Sequence, residues 1–131
     1  MKQALRDYFD EQVEWVLAEL PERIHQLLDE VPLYVEDHPS KRVLKETGLD
    51  RRDELCGYYI GIPLPDRQVE HSGTLSDAIY LYRRGILSQA ADENGEIDEE
   101  ALREEIRVTI LHELGHHHGM TEEELEELGY E

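Results

Sequence analysis

Leu5, Phe9, Val13, Val16, Leu17 and Leu20 recur at the spacing of one helical face, and Pro21 interrupts the run before a shorter repeat at Ile24, Leu27 and Leu28. Two consecutive helices are expected to open the chain. Pro32 heads LYVE, a short extended run closed by EDHPS, where the proline after His38 biases that residue to extended geometry. This predicts a first strand near a sheet edge. From Ser40 to Glu54 the charged text shows little periodicity and predicts a surface loop with a single turn of helix. GYYIGIPLP gives a second strand from Tyr58 to Ile62, flanked by glycines and ended by Pro63 and Pro65. A polar loop from Asp66 to Ser76 leads into DAIYLYRRGIL, where Ile79 and Leu81 face one way and Ala78, Tyr80 and Tyr82 the other, the alternation of a third strand. After the turn cluster DENGE, Asp98 caps a long helix, EEALREEIRVTILHELGHHHG. Gly119 suits the left-handed residue that ends a helix, and Thr121 with Glu124 forms a capping box for a last short helix to about Leu128. Strands set among helices without a regular βαβ repeat predict an α+β fold.

The chain has 131 residues and is read as one domain, 1–131, since a second would have little to bury. Charge adds more to the picture. With 13 basic and 32 acidic residues the net charge is −19, a field that repels phosphate backbones and anionic lipid, so neither nucleic acid nor membrane is an expected partner. Runs such as Asp92 to Glu100 read as solvated surface. The single cysteine, Cys56, leaves no intrachain disulfide and is expected as a small core residue. MKQALRDYFDEQ lacks the apolar block of a signal peptide, and no stretch approaches ~18 apolar residues, so a cytoplasmic location is expected. Seven of the aromatic residues are Tyr, whose hydroxyls need partners, so some should line a polar cleft.

The candidate chemistry lies in HELGHHHGM, from His112 to Met120. At about 100° per residue, Ile110, Leu111 and Leu114 share one arc, while His112 and His116 lie about 40° apart on the other side. One turn apart, both imidazoles can reach a single zinc ion at ~2.0–2.1 Å. Glu113, on the neighbouring side, is placed to take a proton from water rather than to ligate. A further ligand is needed, and a chain reversal at Gly119 can swing Glu122 back toward the histidines, leaving the open fourth position of a catalytic site. The helix macrodipole alone also favours an acid at Glu122, and Glu123 and Glu126 are the substitutes. His117 falls beyond Glu113 on the helix wheel, where it can support the site or line the cleft. His118 points almost opposite and is expected to be exposed or to cap the helix. Tyr80, Tyr82, Arg83 and Tyr130 are the candidate oxyanion donors, with Tyr82 and Arg83 preferred because a strand beside the metal helix can pair with an extended peptide. Glu36 and Asp37 are either exposed acids at a strand end or orient a histidine ligand.

VEDHPS, GYYIGIPL, DAIYLYRRGIL and VTILHELGHHHGMTEEEL, in that order and at these separations, resemble the small bacterial zincin-like metallopeptidases, sometimes called minimal zincins. The resemblance runs from about Leu5 onward. It implies a compact α+β fold in which a small three- to four-stranded sheet packs against a helix bearing H-E-x-x-H-x-x-G-x-x-D, behind N-terminal helices. It also implies zinc as cofactor and a peptide or protein as substrate. Carried over position by position, the histidines are His112 and His116, the glutamate is Glu113 and the glycine is Gly119. The sequence departs at the last position, where Glu122 stands in place of the family's usual Asp. The added methylene requires the carboxylate to fold back or the helix start to shift. The expected activity is zinc-dependent peptide hydrolysis with Glu113 as general base. Two other readings stay open: a non-catalytic metal sensor or carrier using the histidines between 112 and 118, and an acidic adaptor in which metal is structural or absent.

Overall fold

The computed structural model describes residues 1–48, 55–61, 77–125 and 127, with backbone alone for Glu122 and Leu125. The N-terminal period produces α1 (Gln3–Glu19) and α2 (Glu22–Leu28), separated at Leu20 and Pro21. LYVE is β1 (Leu33–Glu36). The charged segment after it holds a two-turn helix, α3 (Lys41–Thr47), where a loop with a single turn was expected, and residues 49–54 lie outside the described residues. Ser40 starts α3 by accepting the Val43 N–H at 3.2 Å, and Val43 is its one buried side chain. A helix anchored by a single apolar residue leaves no period to read.

GYYIG forms β2 (Gly57–Ile60); Ile62 and the Asp66–Ser76 loop lie outside the described residues. The third expected strand is shorter than its text. DAIYLYRRGIL divides at Tyr82 into β3 (Ala78–Tyr82) and a helix, α4 (Arg83–Ala90). Ile86, Leu87 and Ala90 pack at helical spacing, but Gly85 is a poor helix former and masks the pattern. Arg83 fixes the corner: its Nε and Nη2 donate to Asp10 at 3.0 Å each and its Nη1 to Asp37 at 2.9 Å. The Arg84 backbone N–H donates to the Asp37 carbonyl at 3.0 Å.

The long helix, α5 (Glu99–His118), starts where Asp98 accepts the Ala101 N–H at 3.2 Å. It ends at Gly119, whose φ of 65° lies in the left-handed region that glycine adopts without a Cβ penalty. The capping box forms as expected, with Thr121 Oγ1 accepting the Glu124 N–H at 3.2 Å and Glu124 Oε1 accepting the Thr121 N–H at 3.3 Å. It opens α6 (Glu122–Leu125); the expected extension to Leu128 reaches beyond the described residues.

Among the described residues the sheet has the order β1-β3-β2, with β1 parallel and β2 antiparallel to the central β3. The α+β expectation holds, and among the described residues β1 has β3 as its one neighbouring strand. Ile79 and Leu81 of β3 join Ile106, Ile110 and Leu114 of α5 and Phe9, Val13 and Val16 of α1 in one buried cluster. The helix bearing the histidines is thus held between the sheet and α1, each fully buried apolar side chain contributing about 1.5–3 kcal/mol. Among the described residues no helix is long and apolar enough to cross a membrane.

Candidate metal centre

The arc expected on α5 is the one observed. Ile110, Leu111 and Leu114 are buried, while the His112 and His116 side chains are 49% and 52% exposed on the other side. Their ring centroids are 4.6 Å apart, and ligating atoms of His112, Glu113 and His116 all lie within 4.8 Å of one another. Glu113 Oε2 is 3.9 Å from His112 Nε2, and Glu113 Oε1 is 3.4 Å from His116 Nδ1. Two imidazoles one helical turn apart fit a divalent cation such as zinc, with the Glu113 carboxylate beside them as proton acceptor.

Strand β2 places Glu113. Cys56 accepts the Tyr82 N–H at 2.8 Å, so the alternate residues Tyr58 and Ile60 face β3 with their backbone groups while Gly57 and Tyr59 direct theirs outward. The Tyr59 N–H accordingly donates to the Glu113 carboxylate. Close approach of strand and helix depends on Gly57, where a Cβ would stand 2.6 Å from Thr109 Cγ2 and 3.2 Å from Glu113 Cγ. The Glu113 side chain is 7% exposed, and burial pushes its carboxyl up to about 7 against the opposing effects of His112 and the Tyr59 N–H. Burial, followed by charge on His112, holds His116 below the usual imidazole range. A neutral ring at ordinary pH is the form that ligates a metal.

His117 lies behind the site. Its Nδ1 is 2.9 Å from Asp77 Oδ2 and 3.2 Å from the Tyr59 hydroxyl, which itself donates to Asp77 Oδ2 at 3.0 Å. Tyr59 therefore touches Glu113 through its backbone and His117 through its ring. The expectation of an exposed His118 is overturned: its side chain is 7% exposed, against Glu30.

A pocket of about 490 Å³ opens beside the two histidines, with Met120, Thr121 and Glu123 on its other side. Glu123, one of the substitute ligands, is thus at the cleft. The Glu122 backbone begins α6, but its side chain lies outside the described residues, as do Glu126 and Tyr130.

Of the other expected donors, Tyr80 and Tyr82 stack at 6.3 Å and by strand alternation share the sheet face opposite Ile79 and Leu81. Tyr82 is buried, and its hydroxyl is pushed above its ordinary value by burial first and Glu36 next. The Arg83 guanidinium is committed to Asp10 and Asp37. β3 is also paired on both sides, by β1 and β2, and so offers no free edge to an extended peptide. Asp37 binds Arg6 and Arg83 instead of a histidine. Cys56, expected in the core, is half-buried at its margin, its thiol pushed up to about 11 by burial, with Glu105 and Glu113 adding.

Sequence reasoning missed Tyr59, Asp77 and Glu30. Alternation in GYYIG puts Tyr59 on the Gly57 face, but nothing local says that a helix lies there. A histidine helix packed closely against a sheet strand, with H-E-x-x-H side chains gathered beside that strand, defines an α+β protein with a zincin-type site. The model of the zincin-like metallopeptidase family matches residues 28–130, and the chain belongs to that family. No curated protein matches it.

Proposed function

We propose that the chain is a zinc-dependent peptidase in which His112, His116 and Glu122 hold the ion and Glu113 is the general base. The observation that carries this is the Glu113 carboxylate, buried 3.4 Å from His116 and 3.9 Å from His112 and held by the Tyr59 N–H. Burial raises the proton affinity of that carboxyl, the direction that suits a group taking and returning a proton near neutral pH. When bound, zinc supplies electrophilic assistance, polarising a carbonyl and acidifying water. Glu113 accepts the proton of the attacking water on its carboxylate and delivers it to the departing amine. Its Tyr59 N–H contact keeps the carboxylate aimed while the proton moves.

The Glu113→Gln variant tests the reading. Peptide hydrolysis is expected to fall by about 10²–10⁴-fold, with stoichiometric zinc retained by elemental analysis. Undiminished hydrolysis would overturn the role of Glu113. A wild-type protein that holds zinc but cleaves no peptide in a random-sequence library would instead favour a metal sensor or carrier.

A further inference from the structure

The last turn of α5 carries a second group of donors that the H-E-x-x-H pair does not use. Glu30 Oε2, in the turn after α2, is 3.8 Å from His117 Nε2 and 3.7 Å from His118 Nε2. The two rings are 4.8 Å apart and nearly perpendicular, at 83°. Consecutive helical residues splay by about 100° and do not normally converge on one point. Here Glu30 reaches in from another element and stands between them. Val31, 1% exposed in the core, anchors that turn against the helix end.

Two further observations point to a ligand. His118 Nε2 is buried in a side chain only 7% exposed, and it has no hydrogen-bond partner among the described residues. A buried polar nitrogen left so is costly unless something fills the space it faces. His117, in turn, presents Nδ1 to Asp77 at 2.9 Å, with its Nε2 on the Glu30 side. Carboxylate–imidazole pairing of this kind fixes the ring and tautomer of metal-ligating histidines.

We propose that Glu30, His117 and His118 form a second divalent-cation site, selective for zinc-like ions and separate from the one at His112 and His116. A tetrahedral ion at ~2.0–2.1 Å from each ligand sets donors roughly 3.3–3.4 Å apart, so the observed 3.7 and 3.8 Å close by a few tenths of an ångström on binding. The role is structural: the ion clips the end of α5 to the turn between α2 and β1, next to the Tyr59–Asp77–His117 contacts that back Glu113. Two imidazoles and one carboxylate suit zinc, cobalt or nickel and disfavour magnesium and calcium, which take oxygen donors.

The test is metal stoichiometry on the full chain, stripped with chelator and titrated with zinc and, for its spectrum, cobalt. Wild type is expected to hold two zinc ions, and His112→Ala/His116→Ala to hold one. Adding Glu30→Ala to that double variant is expected to weaken the remaining ion by at least about 100-fold, more than loss of a supporting contact costs. Glu30 is 54% exposed, so its truncation leaves the fold intact even if His118→Gln does not. The proposal is overturned if the double variant binds no zinc, or if Glu30→Ala leaves its affinity unchanged. An ion lost with Glu30→Ala but kept in His112→Ala/His116→Ala supports this site while removing the peptidase reading. The converse pattern supports the peptidase site alone.

Discussion

Three influences meet at the Glu113 carboxyl: burial raises its proton affinity most, while charge on His112 and the Tyr59 N–H pull it down, and the balance is about 7 against an ordinary 4.5. A folded value above the unfolded one means that the native state binds extra proton between them, so stability falls as pH rises through about 7. Glu113→Gln keeps an acceptor for the Tyr59 N–H and removes the ionisable group. In chelator-treated protein the variant and wild type are therefore expected to melt together at about pH 5, with the variant melting higher at about pH 8. Equal melting at both would show that burial does not govern this carboxyl. The ligand assignment has its own test: Glu122→Ala is expected to weaken zinc at the H-E-x-x-H pair by about 10-fold or more, and Glu123→Ala to leave it unchanged. Equilibrium dialysis decides between them, and the reverse result would move the third ligand to Glu123. His112, Glu113 and His116 were legible because one helical turn is a local rule. Tyr59, Asp77 and Glu30 were not, because strand pairing and a distant turn bring them to α5. The helix wheel gave the exposure of His118 wrongly, since no wheel shows what packs against a side chain.

Elements held by period or by a cap could be read directly: α1, α2 and α5 from apolar spacing, α6 from Thr121 and Glu124, β3 from alternation. The junctions could not. The strand text ran on through Arg83 because the turn to α4 depends on an Arg83 guanidinium that meets Asp10 and Asp37, 73 and 46 residues away in sequence. Asp37 binds this corner together, accepting Arg6 Nη2 at 2.6 Å and Arg83 Nη1 at 2.9 Å. The Arg6 hydrogen bond, with Arg83 adding, outweighs burial and holds the Asp37 carboxyl down to about 2 from 3.8. A depressed carboxyl contributes stability that is complete above the unfolded value and is lost as pH falls from about 4 toward 2. Asp37→Asn is expected to cost about 1.5–3 kcal/mol at neutral pH by urea denaturation, and to lose the part of the acid-induced decline that lies in that window. A variant as stable as wild type at pH 7, with the same acid decline, would reduce the corner to a surface contact.

Across the whole molecule, α1 lies wholly upstream of the family match at residues 28–130 and yet supplies Phe9, Val13 and Val16 to the core beneath α5. Arg103 of α5 binds Gln12 at 2.7 Å and lies 3.8 Å over the Trp15 ring, so the back of the metal helix is held by polar and aromatic contacts as well as apolar ones. Around this frame the net charge is −19. A field of that sign draws cations toward the cleft and repels acidic chains, and it acts on encounter more than on the bound state. If peptides are the substrates, those flanked by Lys or Arg should be cleaved with a higher kcat/KM than those flanked by Asp or Glu, by about 10-fold at low ionic strength. Because the Debye length shrinks from about 30 Å at 0.01 M to about 3 Å at 1 M salt, the gap should close as salt is added while kcat stays nearly constant. A preference that survived 1 M salt would instead place a specific acidic pocket at the cleft, and steering by the overall field would not account for it.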